Sequence, residues 1–116
     1  MTRALAWLAC FAALFVANGF GAILVGPGGT GAEAAISGYN IAGKTGTAQK
    51  AEAGGYSKSK FVASFVGFAP AHHARLLVAV IVDEPKGANY YGGEVAAPAF
   101  EKIASYALPY LGIGPR

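Results

Sequence analysis

The chain has 116 residues, of which 54% are hydrophobic and only 13% charged, against about 25% charged in an average soluble domain. That length holds one domain with a modest core and excludes a multidomain enzyme, while the apolar excess excludes intrinsic disorder and the aperiodic glycines and prolines exclude collagen and linker. A formal charge of +3 and a pI near 9.1 suit an anionic small substrate or lipid surface, but the cations form no stripe interleaved with aromatics, so no nucleic-acid partner is expected.

Arg3 is followed by a nearly all-apolar run over residues 4–17, and then by small residues at Ala17-Asn18-Gly19. A cation, about a dozen apolar residues and a small-x-small site have the form of a secretory signal. A membrane anchor is the second reading, although Asn18, Gly19 and Gly21 interrupt the run short of the roughly 20 residues that a span needs. A core helix or a non-native start is the third. Residues 1–24 are therefore set apart as a hydrophobic N-terminal segment, with the domain proper at 25–116. The one cysteine, Cys10, cannot close an internal disulfide and says nothing of redox compartment.

Residues 26–31, Gly-Pro-Gly-Gly-Thr-Gly, read as a loop. Residues 38–48 read as a strand in which Gly43 and Gly46 mark the close approach of another backbone. Gly54-Gly55 closes a short polar loop. Residues 61–69 alternate as a strand, with Val62, Val66 and Phe68 on one face and Phe61, Ala63 and Phe65 on the other. The aliphatic run 76–82 predicts a strand covered on both faces. The link 70–75 is too short for a parallel crossover, so these two strands form an antiparallel hairpin. A helix follows over 95–111. Its apolar stripe is Phe100, Ile103, Ala104, Ala107, Leu108 and Leu111, with Pro98 at its start and Pro109 near its end. The predicted fold class is α+β: a three-stranded antiparallel meander with a C-terminal packing helix.

Two chemistries claim the segment Gly38-Tyr-Asn-Ile-Ala-Gly-Lys-Thr-Gly-Thr-Ala48. Read as G-x-x-x-x-G-K-[ST], Gly38 to Thr45 is a phosphate loop, with Asp83-Glu84 after the aliphatic run as its magnesium-holding acids. That reading needs a buried strand before the loop, a helix starting at Lys44-Thr45 and parallel strands afterwards. Gly46 is a poor helix residue, 33–37 a weak strand, and the link 70–75 too short. A P-loop nucleotide hydrolase is kept as the alternative, and a meander topology ends it.

Read instead as strand-borne Lys-Thr-Gly, the segment suits serine acyl-transferases that act on D-alanyl peptides and β-lactams. On a strand Lys44 and Gly46 face one way, Thr45 and Thr47 the other. The Lys44 cation favours an anionic substrate and orders a neighbouring serine or lysine. Gly46 lets a substrate backbone lie close. Hydroxyls of Thr45 and Thr47 suit a terminal carboxylate, and the backbone N–H near Thr47 is one donor to a developing oxyanion.

The context of that triplet carries a resemblance. The run from about Val25 to Ile113 is similar to the C-terminal part of the transpeptidase domain of division-type, monofunctional (class B) penicillin-binding proteins. The matching residues are Gly29-Thr-Gly31, Gly38-Tyr39, Ile41-Ala-Gly-Lys-Thr-Gly-Thr-Ala-Gln-Lys50, Gly55-Tyr56, Phe61-Val-Ala-Ser-Phe-Val-Gly-Phe-Ala-Pro-Ala71, Val82-Asp-Glu-Pro-Lys-Gly87, Tyr90-Tyr-Gly-Gly93 and Val95-Ala-Ala-Pro98. They cover about three-quarters of the chain. The resemblance implies a Lys-Thr-Gly strand followed by two antiparallel strands and a helix. It also implies Lys44 and Thr47 as catalytic groups, Thr45 and Gly46 as substrate-binding ones, and no cofactor or metal. The implied ligands are peptidoglycan stem peptides and β-lactams, with other cell-division proteins as partners. The implied place is the bacterial cell membrane, with the domain on its outer side.

The family's S-x-x-K and S-x-N motifs lie upstream of Lys-Thr-Gly. S-x-N occurs nowhere here, and the one S-x-x-K, Ser57-Lys-Ser-Lys60, follows the Lys-Thr-Gly strand in what reads as a solvated polar loop. Covalent catalysis needs a serine beside a base and oxyanion donors, so no nucleophile is assigned. The chain is expected to be inactive alone, with a non-catalytic remnant as the further alternative. His72-His73 read as a solvated turn rather than a metal site, and Asp83-Glu84 as a solvated strand end. Tyr90-Tyr91-Gly92-Gly93 read equally as a cleft rim or a plain aromatic turn. An unpaired strand edge this apolar is expected to favour association.

Overall fold

A computed structural model describes residues 23–26 and 28–115. The proposed signal or anchor lies outside the described residues, apart from its last two positions, Ile23 and Leu24. The elements in chain order are β1 (Ile23–Leu24), a 3-10 turn (Ala32–Ala34), β2 (Ala42–Glu52), β3 (Gly55–Ala69), β4 (Leu76–Asp83), α1 (Gly92–Val95) and α2 (Ala97–Tyr110). The strands form one antiparallel sheet in the order β1-β2-β3-β4. The predicted meander is β2-β3-β4, and the short β1 adds a fourth strand on its front edge.

Element boundaries differ from the sequence reading for local reasons. β2 begins at Ala42 rather than Gly38, because Gly38 sits at φ 85° in a turn. It runs on to Glu52 because the hairpin pairing carries through to Glu52↔Gly55. The helix predicted over 95–111 is divided: α1 ends at Val95, and α2 takes Pro98 in its first turn and Pro109 in its last. Pro98 sits in the first turn, where a missing N–H costs little, whereas Pro109 lies inside the last turn and removes an i→i−4 hydrogen bond there.

The core lies between one sheet face and α2. Phe65 meets Phe100 with ring centroids 4.8 Å apart at 60°, and Ala34, Ala69, Ala97, Ala104, Leu108 and Ile113 close around them. The buried stripe of α2 is Ala97, Phe100, Ala104 and Leu108, narrower than predicted, since Ile103 and Leu111 are about half exposed. β4 also departs from expectation. Its burial alternates along the strand, and Leu77 is 58% exposed where cover on both faces was expected. Only one face of β4 looks onto α2. A continuous apolar run shows that a strand tolerates two-sided burial, not that a second layer is present.

The largest correction concerns Ser57–Lys60. These residues belong to β3 rather than to a loop; Lys58, Ser59 and Lys60 are exposed, and Ser57 is buried. Gln49 pairs with Phe61 and Ala51 with Tyr56, so residues 57–60 bulge out opposite Lys50 alone. Ser57 is 3% exposed. Its Oγ accepts from the N–H groups of Lys60 at 3.0 Å and Ser59 at 3.3 Å, donors that the bulge takes out of the ladder. Lys50 bridges the same end of the sheet, with Nζ 2.9 Å from Asp83 and 3.7 Å from Glu84, and Lys60 reaches Glu84 at 3.9 Å. Asp83 and Glu84 are thus ion-pair partners across three strands rather than a simply solvated strand end.

Two outcomes follow for stability. Ser57→Ala leaves the bulge donors without their acceptor and is expected to cost about 1–3 kcal/mol in denaturant unfolding. The Lys50 ammonium is held above its ordinary 10.5, mainly by its hydrogen bond to Asp83, with desolvation opposing and the Asp83 and Glu84 charges helping. A raised folded-state value means that this contribution is present below the unfolded pKa and lost as pH rises through the folded one. Thermal midpoints measured on the alkaline side of 10.5 should therefore fall more steeply for the wild type than for Lys50→Met.

Candidate active site

Val25 N–H donates to the Ile41 carbonyl at 2.8 Å, so odd-numbered residues of β2 aim their backbone groups at the β1 side and even-numbered ones at β3. The pairing with β1 extends only to Ile23↔Gly43. Among the described residues no strand pairs with the outward N–H and C=O groups of Thr45 and Thr47, although the Thr45 carbonyl accepts from the Lys44 ammonium. The same alternation sends the Thr45 and Thr47 side chains to the α2 face and Lys44 and Gly46 to the opposite one. Lys44 is exposed and curls to the edge, its Nζ 3.4 Å from the Thr45 carbonyl oxygen.

On the threonine side the sheet edge opens into a cleft of about 430 Å³, lined by Thr45 and Thr47 together with Thr30, Tyr91, Gly92 and Glu94 among others. Three segments distant in sequence meet there. The Thr45 hydroxyl pairs with that of Thr30 at 3.1 Å. The Gly92 N–H donates to Thr47 Oγ1 at 3.1 Å. Thr47 thereby keeps its own hydroxyl proton for an acceptor in the cleft.

Two glycines make this convergence possible. A methyl on Gly92 would overlap the carbonyl oxygen of Ser64 and come within 2.6 Å of that of Gly46, and one on Gly93 would overlap the Thr30 carbonyl. The backbone of Gly92 lies against that of Gly46 on the threonine face, and there it is Gly92 that has to lack a side chain. Gly43 instead receives the ring of Phe65. Tyr90 stacks on Phe61 with centroids 4.1 Å apart at 14°, and its hydroxyl donates to that of Tyr91 at 3.1 Å. That bond is the main cause holding the Tyr90 phenol above its ordinary range. Of the two tyrosines, Tyr91 lines the cleft.

The predicted residues are brought together in part. Thr45 and Thr47 line the cleft, Lys44 sits at its open edge, and Gly46 lies behind it beneath Gly92. Ser57 is committed to its bulge, and the other buried serine, Ser64, has Oγ 3.5 Å from the Gly46 carbonyl. Thr30 and Gly92 belong to the matching motifs but the sequence assigns them no role, since no periodicity signals a partner 15 or 45 positions away. The phosphate-loop alternative ends here, since Lys44 and Thr45 lie inside an antiparallel strand and no helix starts at them. His72 and His73 are exposed in their turn, and no three His, Cys, Asp or Glu groups converge among the described residues.

Residues 18–105 match the family described as the penicillin binding protein transpeptidase domain. Over 89 residues the chain is 52% identical to the probable peptidoglycan D,D-transpeptidase PenA of Neisseria gonorrhoeae, covering 77% of this chain and 15% of that protein. It superposes on the TP domain of penicillin-binding protein 3 from Burkholderia pseudomallei with a TM-score of 0.69 at 44% identity, covering 78% of this chain and 28% of that one. Penicillin-binding protein 3 of Mycobacterium tuberculosis, complexed with ampicillin, gives a TM-score of 0.63 at 31% identity over 75% of this chain and 20% of that one. The chain thus spans a small share of each relative's length. The strand-borne Lys-Thr-Gly, the meander and helix, and these matches agree: the chain belongs to the penicillin-binding protein transpeptidase domain family.

Proposed function

We propose that residues 25–116 form the Lys-Thr-Gly wall of a peptidoglycan D,D-transpeptidase. The observation that carries this reading is the pair of outward backbone groups at Thr45 and Thr47 on an open strand edge, beside hydroxyls turned into one cleft. An extended D-alanyl-D-alanine end lies along that edge as an added strand. Its carboxylate accepts from the Thr47 hydroxyl, whose oxygen already takes the Gly92 N–H, and from the Thr30–Thr45 pair. Lys44 supplies the positive charge at the edge. The Thr47 N–H donates to the oxyanion that forms when a serine attacks the penultimate carbonyl. D-alanine leaves, and the acyl group passes to the amine of a neighbouring stem peptide. β-Lactams enter as mimics of the donor, and the ampicillin complex of the M. tuberculosis relative supports that class of ligand.

The reading places the site on the outer side of the bacterial cell membrane, among the partners that build the division wall. Among the described residues no helix is long and apolar enough to cross a membrane. The nucleophile is not supplied by this sequence. S-x-N is missing, and the oxygen of the only S-x-x-K serine already accepts two backbone N–H groups.

Two measurements test the proposal. The 116-residue chain incubated with a fluorescent penicillin is expected to carry no label on denaturing electrophoresis. Residues 25–116 grafted in place of the matching stretch of the N. gonorrhoeae relative should restore a labelled band. In that chimera Lys44→Ala is expected to slow acylation on the order of 100-fold. Thr47→Val should weaken it about tenfold through loss of a charge-assisted hydrogen bond. A chimera that melts cooperatively yet takes no label would overturn the assignment, and a specifically labelled 116-residue chain would overturn the missing nucleophile.

A further inference from the structure

The start of α1 is held against the cleft floor by bare backbone. Gly92 donates its N–H to Thr47 Oγ1 at 3.1 Å. A methyl on Gly93 would overlap the Thr30 carbonyl oxygen and come within 3.6 Å of Thr45 Cγ2. Glu94 is the first residue beyond these two that carries a side chain. Its N–H closes the turn onto the Tyr91 carbonyl at 2.9 Å, and the residue is exposed and lines the cleft with Thr45, Thr47 and Tyr91. The Tyr90 phenol, held above its ordinary range mainly by the Tyr91 hydrogen bond, also feels the Glu94 charge. Two pinned glycines thus set a carboxylate beside the threonine floor.

A ligand with only a negative end gains from the Thr47 hydroxyl proton and is repelled by Glu94. A ligand that carries an ammonium besides its carboxylate gains from both. We infer that Glu94 is a specificity-determining residue that selects ligands bearing both charges, and so a stem-peptide donor whose own amine is still free. The inference rests on the acyl-transfer reading. There the acyl group passes to the amine of a neighbouring stem, so a donor of the same kind brings such an amine until it has itself been cross-linked. Cross-linking turns that ammonium into a neutral amide and removes what Glu94 attracts. Glu33 lines the same cleft from the 3-10 turn beyond Thr30 and adds to the field. Glu94 is the determinant because it stands two residues from the N–H that fixes the Thr47 hydroxyl.

The probes are penicillins that share a phenylacetyl side chain, whose α-carbon bears an ammonium in ampicillin and a carboxylate in carbenicillin. Each competes with the fluorescent penicillin for the chimera with the N. gonorrhoeae relative, where the rest of the transpeptidase domain is present. The ratio of the two acylation rates isolates the α-charge, because the ring carboxylate and the reacting lactam are common to both. Glu94→Gln is expected to lower the ratio of ampicillin to carbenicillin about fivefold, and Glu94→Lys to lower it further. Salt at about 1 M, with a Debye length of about 3 Å, should shrink the unsubstituted ratio toward that of Glu94→Gln. A labelled chimera whose ratio Glu94→Gln leaves unchanged, or whose ratio moves only with Glu33→Gln, overturns this inference alone. A folded chimera that takes no label overturns the acyl-transfer reading and this inference with it.

Discussion

The antiparallel register of β2 on β3, from Ala42↔Phe68 to Gln49↔Phe61, is the constraint on which the rest of the molecule depends. It assigns every group of the Lys-Thr-Gly segment to a direction. Threonine side chains go to the α2 face, Lys44 and the bare α-carbon of Gly46 go to the other, and the backbone groups of Thr45 and Thr47 go to the open edge. A slip of one residue would invert all of these at once. The register is held by the core beneath it. Phe65 lies opposite Thr45 in the ladder and is 1% exposed against Phe100. Moving it to the far face would strip a fully buried aromatic of its packing, a loss of about 3–5 kcal/mol if gauged by removal of such a side chain.

Around that strand the cleft is a product of convergence. The glycine-rich stretch ending at Gly31 brings Thr30 to Thr45, and the start of α1 brings Gly92 to Thr47. Neither contact is possible without bare backbone at Gly92 and Gly93, where a methyl would occupy the space of a carbonyl oxygen. The hydrogen bonds also settle polarity. The Thr47 hydroxyl accepts a backbone N–H and so has its own proton to give into the cleft.

Ser57 illustrates how a motif can be satisfied in letters and absent in chemistry. Four residues in the order serine, two others, lysine place two side chains near each other on a helix. On a bulged strand the same letters serve the backbone, and the serine oxygen caps N–H groups that the ladder has released. The neighbouring ion pairs of Lys50 and Lys60 with Asp83 and Glu84 belong to the same end of the sheet. They join three strands where the hydrogen-bond ladder is interrupted, and they account for charges that local reading left to solvent.

The order of elements was legible in the sequence because it rests on local physics. Alternation in 61–69, the short link at 70–75 and the prolines flanking a helical stripe each constrain a few neighbouring residues. The extended state of Lys44 to Thr47, with its division of side chains between two faces, was legible for the same reason, and the family resemblance followed from the motifs on that frame. What the chain by itself left open was everything that depends on a second surface. The one-sided cover of β4, the burial of Ser57, the part played by Thr30 and Gly92, and the edge toward which Thr47 aims its N–H arise from contacts between residues far apart in sequence. Periodicity records which faces a strand has, but only the packed fold decides what, if anything, lies against each of them.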